Sequence, residues 1–311
     1  MTNGRSAASF QENSLIVHAP AKINLILRVL ARRSDGYHNL WSIMHTVDLE
    51  DEVRIRVTSS EPGVRLRCDT EGLSTDHTNL VARAASAVLD QAQLPVGVDV
   101  ELRKRIPMGA GLGGGSSDAA ATILGLNHVL KLGWSPAKMA EVGQALGSDV
   151  AFFVFSPSAI VSGRGETVRP VTVEGKRWIV LVKPPFGVET KWAYQQLAGT
   201  RTEVRPLSAN HQALDRRDRL TWAELSAAAE NDFEHPVFVA HPVLLQIRST
   251  LIELGARCAL LSGSGATVFG LFDEESTARR AEGRMREHPD LKVFVVPTGS
   301  GPLRTSCGWR P

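Results

Sequence analysis

Residues 106–123 read IPMGAGLGGGSSDAAATI, and this stretch sets the interpretation of the whole chain. Five of the seven residues from Gly109 to Gly115 are glycine, and two serines then lead into an alanine-rich segment that favours helix. Glycine has no Cβ, so the backbone N–H groups of such a loop can approach a ligand closely. The start of a helix adds unpaired N–H groups and the positive end of the helix dipole. The stretch therefore predicts an anion site, for which phosphate is the usual occupant.

Three other kinds of glycine-rich segment fit this stretch less well. A Walker loop needs lysine where this chain has Gly115. The dinucleotide fingerprint is formally present at Gly109, Gly111 and Gly114, but Pro107 interrupts the strand that should precede it, and the following element is a second helix. A flexible linker would have no ordered helix behind it. A longer phosphate-binding loop that leads into a helix fits best.

Composition narrows the class of protein. The chain has 311 residues and a net charge of +2, which allows a large core and carries no strong signal for nucleic acid. Three scattered cysteines and the absence of an HExxH motif predict neither a disulfide framework nor a metal held by the protein alone. The first fourteen residues lack the apolar stretch of a signal peptide, and no apolar run is long enough for a membrane helix. We therefore expect a cytoplasmic protein with no nucleic-acid or membrane partner.

Hydrophobic patterning predicts strands and helices that mix without strict alternation, which favours an α+β fold over a doubly wound sheet. Residues 14–30 are predicted as two strands interrupted at 19–21, and residues 53–57 and 64–68 as a hairpin with one wet face. A buried strand is predicted over 178–182. Helices are predicted over 79–92, 116–131, 136–146, 222–230, 242–254 and 279–287. A change in composition near 157–175 predicts two domains, 14–165 and 176–302.

Three stretches together resemble the motifs of the GHMP small-molecule kinases. PMGAGLGGGSSDAAAT from Pro107 resembles motif 2, PAKINL from Pro20 resembles motif 1, and LSGSGAT from Leu261 resembles motif 3. The resemblance implies two domains across a deep cleft and transfer of the γ-phosphoryl group of ATP to an alcohol, with ATP and Mg²⁺ as cofactors. It assigns ATP binding to Pro107, Met108, Gly109, Ala110, Gly111, Leu112, Gly113, Gly114, Gly115, Ser116 and Ser117.

Further stretches narrow the resemblance within that family. RSDGYH from Arg33 and GSDV from Gly147 are typical of members that phosphorylate cytidine diphosphate methylerythritol, on a route to isoprenoid precursors without mevalonate. The resemblance implies that Asp149 is the catalytic base and that Lys22 keeps it ionised and contacts the hydroxyl and the γ-phosphate. It assigns substrate binding to Asn24, Tyr37, His38, Thr190 and Tyr194. A small molecule is the expected partner, and the expected state is a monomer or weak homodimer.

Several alternatives stay open from the sequence. A mevalonate-type or homoserine-type kinase would explain the glycine loops but not the Asp-Gly-Tyr-His run. An inactive nucleotide-binding member would lack Lys22 or Asp149, and an NAD-dependent dehydrogenase is a more distant alternative. Asp118 is interpreted as a first-turn aspartate that stabilises its helix through the dipole. The basic run 103–105 either attracts ATP or guards an exposed edge strand, and the Ser117 hydroxyl is a candidate Mg²⁺ contact.

Overall fold

The computed structural model describes residues 14–33, 38–58, 61–200, 205–299 and 303–305. Its strands are β1 (Ser14–Arg32), β2 (His38–Thr58), β3 (Gly63–Cys68), β4 (Gly97–Arg103), β5 (Ser158–Gly163), β6 (Thr167–Pro170), β7 (Thr172–Val173), β8 (Trp178–Lys183), β9 (Arg219–Leu220), β10 (Glu230–Asn231), β11 (Cys258–Leu261), β12 (Val268–Phe272), β13 (Lys292–Pro297) and β14 (Arg304–Thr305). Its helices are α1 (Leu80–Ala92), α2 (Gly114–Val129), α3 (Pro136–Gln144), α4 (Val150–Phe155), α5 (Thr190–Thr200), α6 (Ala209–Asp215), α7 (Trp222–Ala227), α8 (Glu234–Ala240), α9 (Pro242–Glu253) and α10 (Glu275–Met285).

A large mixed sheet forms the first layer, with the strand order β10-β1-β2-β4-β3, while β5 pairs with β2 and β6. Helices α1 and α2 pack on this sheet, and α1 begins where predicted because the Asn79 side chain accepts the Val81 N–H at 2.9 Å. A second sheet of order β11-β12-β8-β13 lies in the later part of the chain, and β8, one of its two central strands, is the predicted buried strand. The mixture of helices and strands confirms the α+β prediction.

The prediction of two strands over residues 14–30 is wrong, because β1 runs without a break from Ser14 to Arg32. The register against β2 shifts at Pro20: Pro20 pairs with Glu50, whereas Ala21 pairs with Val47. A bulge in the partner strand thus absorbs the irregularity at a residue that has no N–H to donate. The two segments stay on one continuous strand.

The predicted hairpin of residues 53–57 and 64–68 is also wrong. Strand β4 lies between β2 and β3, antiparallel to β2 and parallel to β3. Helix α1 connects β3 to β4, which is the connection that parallel neighbours require. Alternation of apolar and basic residues identified both strands, but such a pattern does not choose a partner.

Two short strands from late in the chain pair with β1 of the first sheet. Strand β10 is parallel to β1, with Ile26 opposite Glu230, and β14 is antiparallel to it, with Val17 opposite Thr305. The division of the chain into 14–165 and 176–302 stays a prediction. Among the described residues, no helix has both the length and the apolar character needed to cross a bilayer.

Candidate active site

Two polar side chains lie buried on the same face of β1. Residues two apart on a strand point to the same side, which brings Lys22 and Asn24 together. Lys22 is 4% exposed and Asn24 is 1% exposed. The Lys22 Nζ donates to Asn24 Oδ1 at 2.5 Å, and Asn24 Nδ2 donates to Ser42 Oγ at 2.9 Å. Asn24 is therefore fixed between a cation and a hydroxyl donor-acceptor on the neighbouring strand.

Asp149 stands immediately before α4 and faces this pair. Its Oδ2 lies 3.6 Å from Lys22 Nζ, and its side chain is 28% exposed. The carboxylate makes no hydrogen bond to the helix that it precedes. Asp149 therefore has a positive partner on one side and open space on another, which suits a group that must accept a proton from a bound molecule.

The electrostatics of this pair reflect its burial. Burial lowers the pKa of Lys22, and the negative charge of Asp149 opposes that shift. Burial, together with the same Asp149 charge, raises the pKa of Tyr194 to about 12. Tyr194 therefore keeps its hydroxyl proton at neutral pH, and the Asp149 charge reaches the side of the site that carries Tyr194.

The first glycine loop is hydrogen-bonded to β1, the strand that carries Lys22. The backbone N–H of Lys22 donates to Leu112 O at 2.9 Å. A Cβ on Gly113 would lie 3.0 Å from Lys22 Cγ and 3.0 Å from the Phe153 ring, and its φ of +70° also favours glycine. The loop thus approaches Lys22 more closely than other residue types allow.

A cavity of about 480 Å³ opens beside this loop. Every residue from Pro107 to Ser116 lines it, and α2 begins at Gly114 within that lining. The unpaired N–H groups of the first helical turn therefore belong to the cavity wall, as an anion site requires. Ser117, the last residue predicted to bind ATP, is fully buried, and its Oγ has no hydrogen-bond partner among the described residues.

The second glycine loop, residues 262–266, packs directly on the first. Ser262 Oγ donates to Gly111 O at 3.0 Å, and a Cβ on Gly111 would lie only 2.0 Å from Ser262 O. A Cβ on Gly263 would lie 3.3 Å from Lys22 Nζ. Motifs 2 and 3, which are about 150 residues apart in the sequence, thus meet beside Lys22.

Three further residues predicted to bind substrate contact either one another or the second glycine loop. The His38 ring stacks on the Tyr194 ring of α5, with centroids 5.2 Å apart and planes at 18°. Thr190, at the start of α5, is hydrogen-bonded to Ser264 of the second glycine loop, with 3.0 Å between their hydroxyl oxygens. Tyr37 lies outside the described residues. The geometry joins His38, Thr190 and Tyr194 to the site that holds Lys22 and Asp149.

A buried charge cluster adjoins the glycine-loop cavity. Lys104 Nζ donates to Asp118 Oδ2 at 2.7 Å and also to Asp51 Oδ2. Asp118 is 2% exposed, and α2 starts at Gly114, so the interpretation of Asp118 as a first-turn aspartate is wrong. Burial raises the pKa of Asp118 to about 8, the Lys104 charge opposes this, and the Asp51 charge adds to it.

The basic run 103–105 therefore does not guard an edge. Strand β4, which ends at Arg103, is an interior strand, and Lys104 lines the glycine-loop cavity between two carboxylates.

Lys183, the last residue of β8, bonds to the turn that follows its own strand. Its Nζ donates to Pro184 O at 2.7 Å and to Phe186 O at 2.6 Å, which holds the turn after β8.

Three side chains that support the site were not identified from the sequence. Ser42 supports Asn24, and Phe233 meets the Tyr194 ring edge-on at 4.9 Å. Asn231 donates to the carbonyl group of Leu261, at the end of β11, and to that of Gly263 in the second glycine loop. A polar Asn-Asp pair next to a predicted helix end was the available signal for Asn231. Nothing in the local pattern of Ser42 or Phe233 distinguished either from an ordinary strand or core residue.

Comparison with known protein families agrees with this geometry. Residues 79–157 match the family model for the GHMP kinases N terminal domain, and residues 210–291 match that for the GHMP kinases C terminal. The two segments contain the first glycine loop with Asp149 and the second glycine loop. The chain belongs to the GHMP kinase family, whose members use ATP.

Individual relatives narrow the family further. A protein of Geobacter metallireducens named 4-diphosphocytidyl-2-C-methyl-D-erythritol kinase is 42% identical over 283 residues, which is 91% of this chain and 98% of the relative. A crystal structure of 4-(cytidine 5'-diphospho)-2C-methyl-D-erythritol kinase is similar with a TM-score of 0.74 at 34% identity, and covers 92% of this chain and 100% of that one. Within the GHMP kinases, the chain belongs with the 4-diphosphocytidyl-2-C-methyl-D-erythritol kinases.

The fold alone would not have made that distinction. A homoserine kinase from Cytophaga hutchinsonii has the same TM-score of 0.74, at 20% identity, over 96% of this chain and 98% of its own. The fold is therefore shared with a kinase that has a different name, and similarity of fold does not identify the substrate. The substrate has to be argued from the residues around Asp149.

Proposed function

We propose that this chain transfers the γ-phosphoryl group of ATP to the 2-hydroxyl of 4-diphosphocytidyl-2-C-methyl-D-erythritol, in the non-mevalonate route to isoprenoid precursors. The observation that carries the proposal is the Lys22–Asp149 pair, 3.6 Å apart, where the two glycine loops meet. The relative of that name, 42% identical over nearly its whole length, supports the substrate.

The transfer step needs a base and a balance of charge. As the substrate oxygen bonds to the γ-phosphorus, its proton passes to the Asp149 carboxylate, and the bond from the γ-phosphorus to the bridging oxygen breaks to release ADP. Lys22 stabilises the ionised form of Asp149 before the transfer and offsets negative charge on the moving phosphoryl group. Asn24 fixes the Lys22 ammonium, because its Oδ1 accepts a hydrogen bond from Lys22 Nζ at 2.5 Å.

The phosphates of ATP are held mainly by backbone groups. The N–H groups of the loop from Gly109 to Gly115 and of the first turn of α2 line the cavity and favour an anion. Mg²⁺ bound with ATP supplies further neutralisation of phosphate charge. The Ser117 hydroxyl is the candidate contact for the ion, and its buried oxygen without a partner among the described residues supports that assignment.

The cytidine end of the substrate is assigned to the side of the site that carries His38 and Tyr194. His38 and Tyr194 already stack on each other, which supports a flat apolar surface for a base. Tyr37 is assigned to the same base by the sequence, and Thr190 and Asn24 to polar groups of the substrate. We further propose that the chain works in the cytoplasm, where ATP is available, as a monomer or weak homodimer.

The direct test is ATP consumption by the purified chain with Mg²⁺, in the presence and absence of 4-diphosphocytidyl-2-C-methyl-D-erythritol. We expect turnover only with the cytidine substrate, and Asp149→Asn should lower kcat by at least about 100-fold because it removes the base. Asp273→Asn, at a carboxylate of the outer ion pair with Arg257, is the matched control and should keep wild-type kcat. Turnover of homoserine or mevalonate instead would keep the kinase class and overturn the proposed substrate.

A further inference from the structure

Residues 230–234, here called the β10 segment, contact three parts of the site at once. Through β10 the segment is paired in parallel with β1, where Leu27 stands opposite Asn231. The pairing continues past the strand, because the Asp232 N–H donates to Leu27 O at 2.9 Å and Asp232 Oδ2 accepts the Val29 N–H at 2.7 Å. The β10 segment is therefore fixed to the strand that carries Lys22.

The second contact of the β10 segment is with the second glycine loop. Asn231 is 4% exposed, and its Nδ2 donates to Leu261 O at 2.7 Å and to Gly263 O at 2.8 Å. Its Oδ1 accepts the Phe233 N–H at 2.9 Å, so each polar atom of the amide is used. Glu234 Oε1 accepts the Leu261 N–H at 2.9 Å from the same side.

The third contact is with the substrate wall, where Phe233 supports the Tyr194 ring. The loop that Asn231 holds is the one that touches the catalytic lysine, since a Cβ on Gly263 would lie 3.3 Å from Lys22 Nζ and 3.1 Å from Gly111 O. Gly263 and Gly265 of this loop have φ of +57° and +99°, and neither has a side chain that restricts the backbone. The hydrogen bonds that the loop makes therefore help to set its distance from Lys22.

We propose that Asn231 is a positioning residue for phosphoryl transfer, whose amide fixes the second glycine loop against Lys22 and the first glycine loop. The inference rests on the kinase activity proposed above. Asn231 touches neither the reacting atoms nor the glycine-loop cavity, and acts through the Gly263 carbonyl and its neighbours. A small displacement of such a loop costs rate, because the reacting groups must be held at close range in one orientation.

The test compares Asn231→Ala with Asn127→Ala. Asn127 of α2 is a matched control, because both ends of its amide also bond to backbone groups. Its Oδ1 accepts the Trp134 N–H at 2.9 Å and its Nδ2 donates to Trp134 O at 3.2 Å, where Trp134 lies in the loop between α2 and α3. We expect Asn231→Ala to lower kcat by about 10- to 100-fold, with the KM for the alcohol substrate within about twofold of wild type. Asn127→Ala should lower thermal stability but keep kcat.

Asn231→Asp provides a second variant of the same size. A carboxylate keeps the acceptor for Phe233 N–H but faces two carbonyl oxygens without a proton to donate. Its kcat relative to wild type should rise as the pH is lowered from 8 to 6, because a protonated carboxyl regains one donor. A purely structural role would leave this pH profile parallel to that of the wild type.

Binding of a non-hydrolysable ATP analogue separates this proposal from the proposed substrate. If the wild type does not turn over the cytidine substrate, but Asn231→Ala still binds the analogue at least about tenfold more weakly than Asn127→Ala does, the substrate fails and the positioning role stands. If the wild type is active, and the two alanine variants have equal kcat and equal analogue affinity while folded, the positioning role is overturned.

Discussion

At the scale of single residues, Asp118 is the departure from expectation with the most direct physical consequence. It lies buried between Lys104 and the carboxylate of Asp51, with one carboxyl oxygen lacking a partner among the described residues. An acid there cannot act through the helix dipole, because it lies past the first turn of α2. Burial instead raises the pKa of the Asp118 carboxyl group.

The raised pKa of Asp118 predicts a dependence of stability on pH. In the unfolded chain Asp118 ionises near pH 4, whereas in the folded chain its pKa is about 8, so between these values the folded state holds a proton that the unfolded state has lost. This contribution to stability is full below pH 4 and is lost as the pH rises through 8. Asp118→Asn cannot ionise, so its free energy of unfolding relative to wild type should increase by up to about 4 kcal/mol between pH 5 and pH 8.

Urea unfolding of both proteins across that pH range measures the difference. Asp99→Asn is a suitable comparison, because Asp99 lies in an exposed ion pair with Arg65 whose hydrogen bonds lower its pKa below the range studied. A difference between wild type and Asp118→Asn that stays constant from pH 5 to pH 8 would contradict the assignment.

Single residues could be proposed from the sequence where a motif contains them. Lys22, Asn24 and Asp149 were assigned in this way, and the structure places Lys22 next to the other two, while their roles stay predictions. Asn231 and the Asp51–Lys104–Asp118 cluster could not be found in this way. Their partners lie 14 to 53 residues away, and no local spacing encodes such a pairing.

At the scale of elements, the two glycine loops form one unit through Gly111. A methyl group at this position would overlap Ser262 O at 2.0 Å, and φ is +73°. Gly111→Ala should therefore separate the loops and lower kcat/KM for ATP by at least about 100-fold. Initial-rate kinetics at varied ATP concentrations check this expectation.

Gly133→Ala is the control for backbone strain alone. Gly133 has a similar φ of +67°, with nothing within 4 Å of its Cβ position. That variant should lose about 1–2 kcal/mol of stability and keep its kinetics for ATP. Equal kinetic losses in both variants would attribute the effect at Gly111 to strain, and not to the contact with Ser262.

Elements were predictable where capping or periodicity is local. The Asn79 cap and the Ser135 cap mark the starts of α1 and α3, and the apolar run before Lys183 marks β8. Helix α4 was missed because its six residues, VAFFVF, are all apolar and show no helical period. The prediction that β3 pairs with β2 was wrong, because the crossover through α1 places β4 between β2 and β3.

At the scale of the whole molecule, the two sheets should unfold together. Strands β10 and β14 belong to the first sheet, while Asn231 of β10 bonds to Leu261 of the second sheet. Separation of the sheets would break these bonds and the contacts between the glycine loops. We expect amides of β2 and of β8 to lose protection from hydrogen exchange at the same urea concentration, in a single transition.

Hydrogen exchange followed by mass spectrometry across a urea series makes this measurement. Protection of β2 that persists after β8 has exchanged would contradict a single cooperative unit. In that case the predicted boundary near 157–175 would also mark two units that unfold separately.

The pairing of β1 with β10 has a consequence for how the protein is made. Strand β1 leaves the ribosome before β10, and roughly 200 residues separate Ile26 from its partner Glu230. At about 5–20 residues per second, translation leaves that edge of β1 without β10 for about 10–40 s. An unpaired strand edge is a template for pairing with other chains, so this edge of the strand that carries Lys22 is open to such pairing until β10 has been made. Lys22 is thus translated well before the segment that completes the pairing of its own strand.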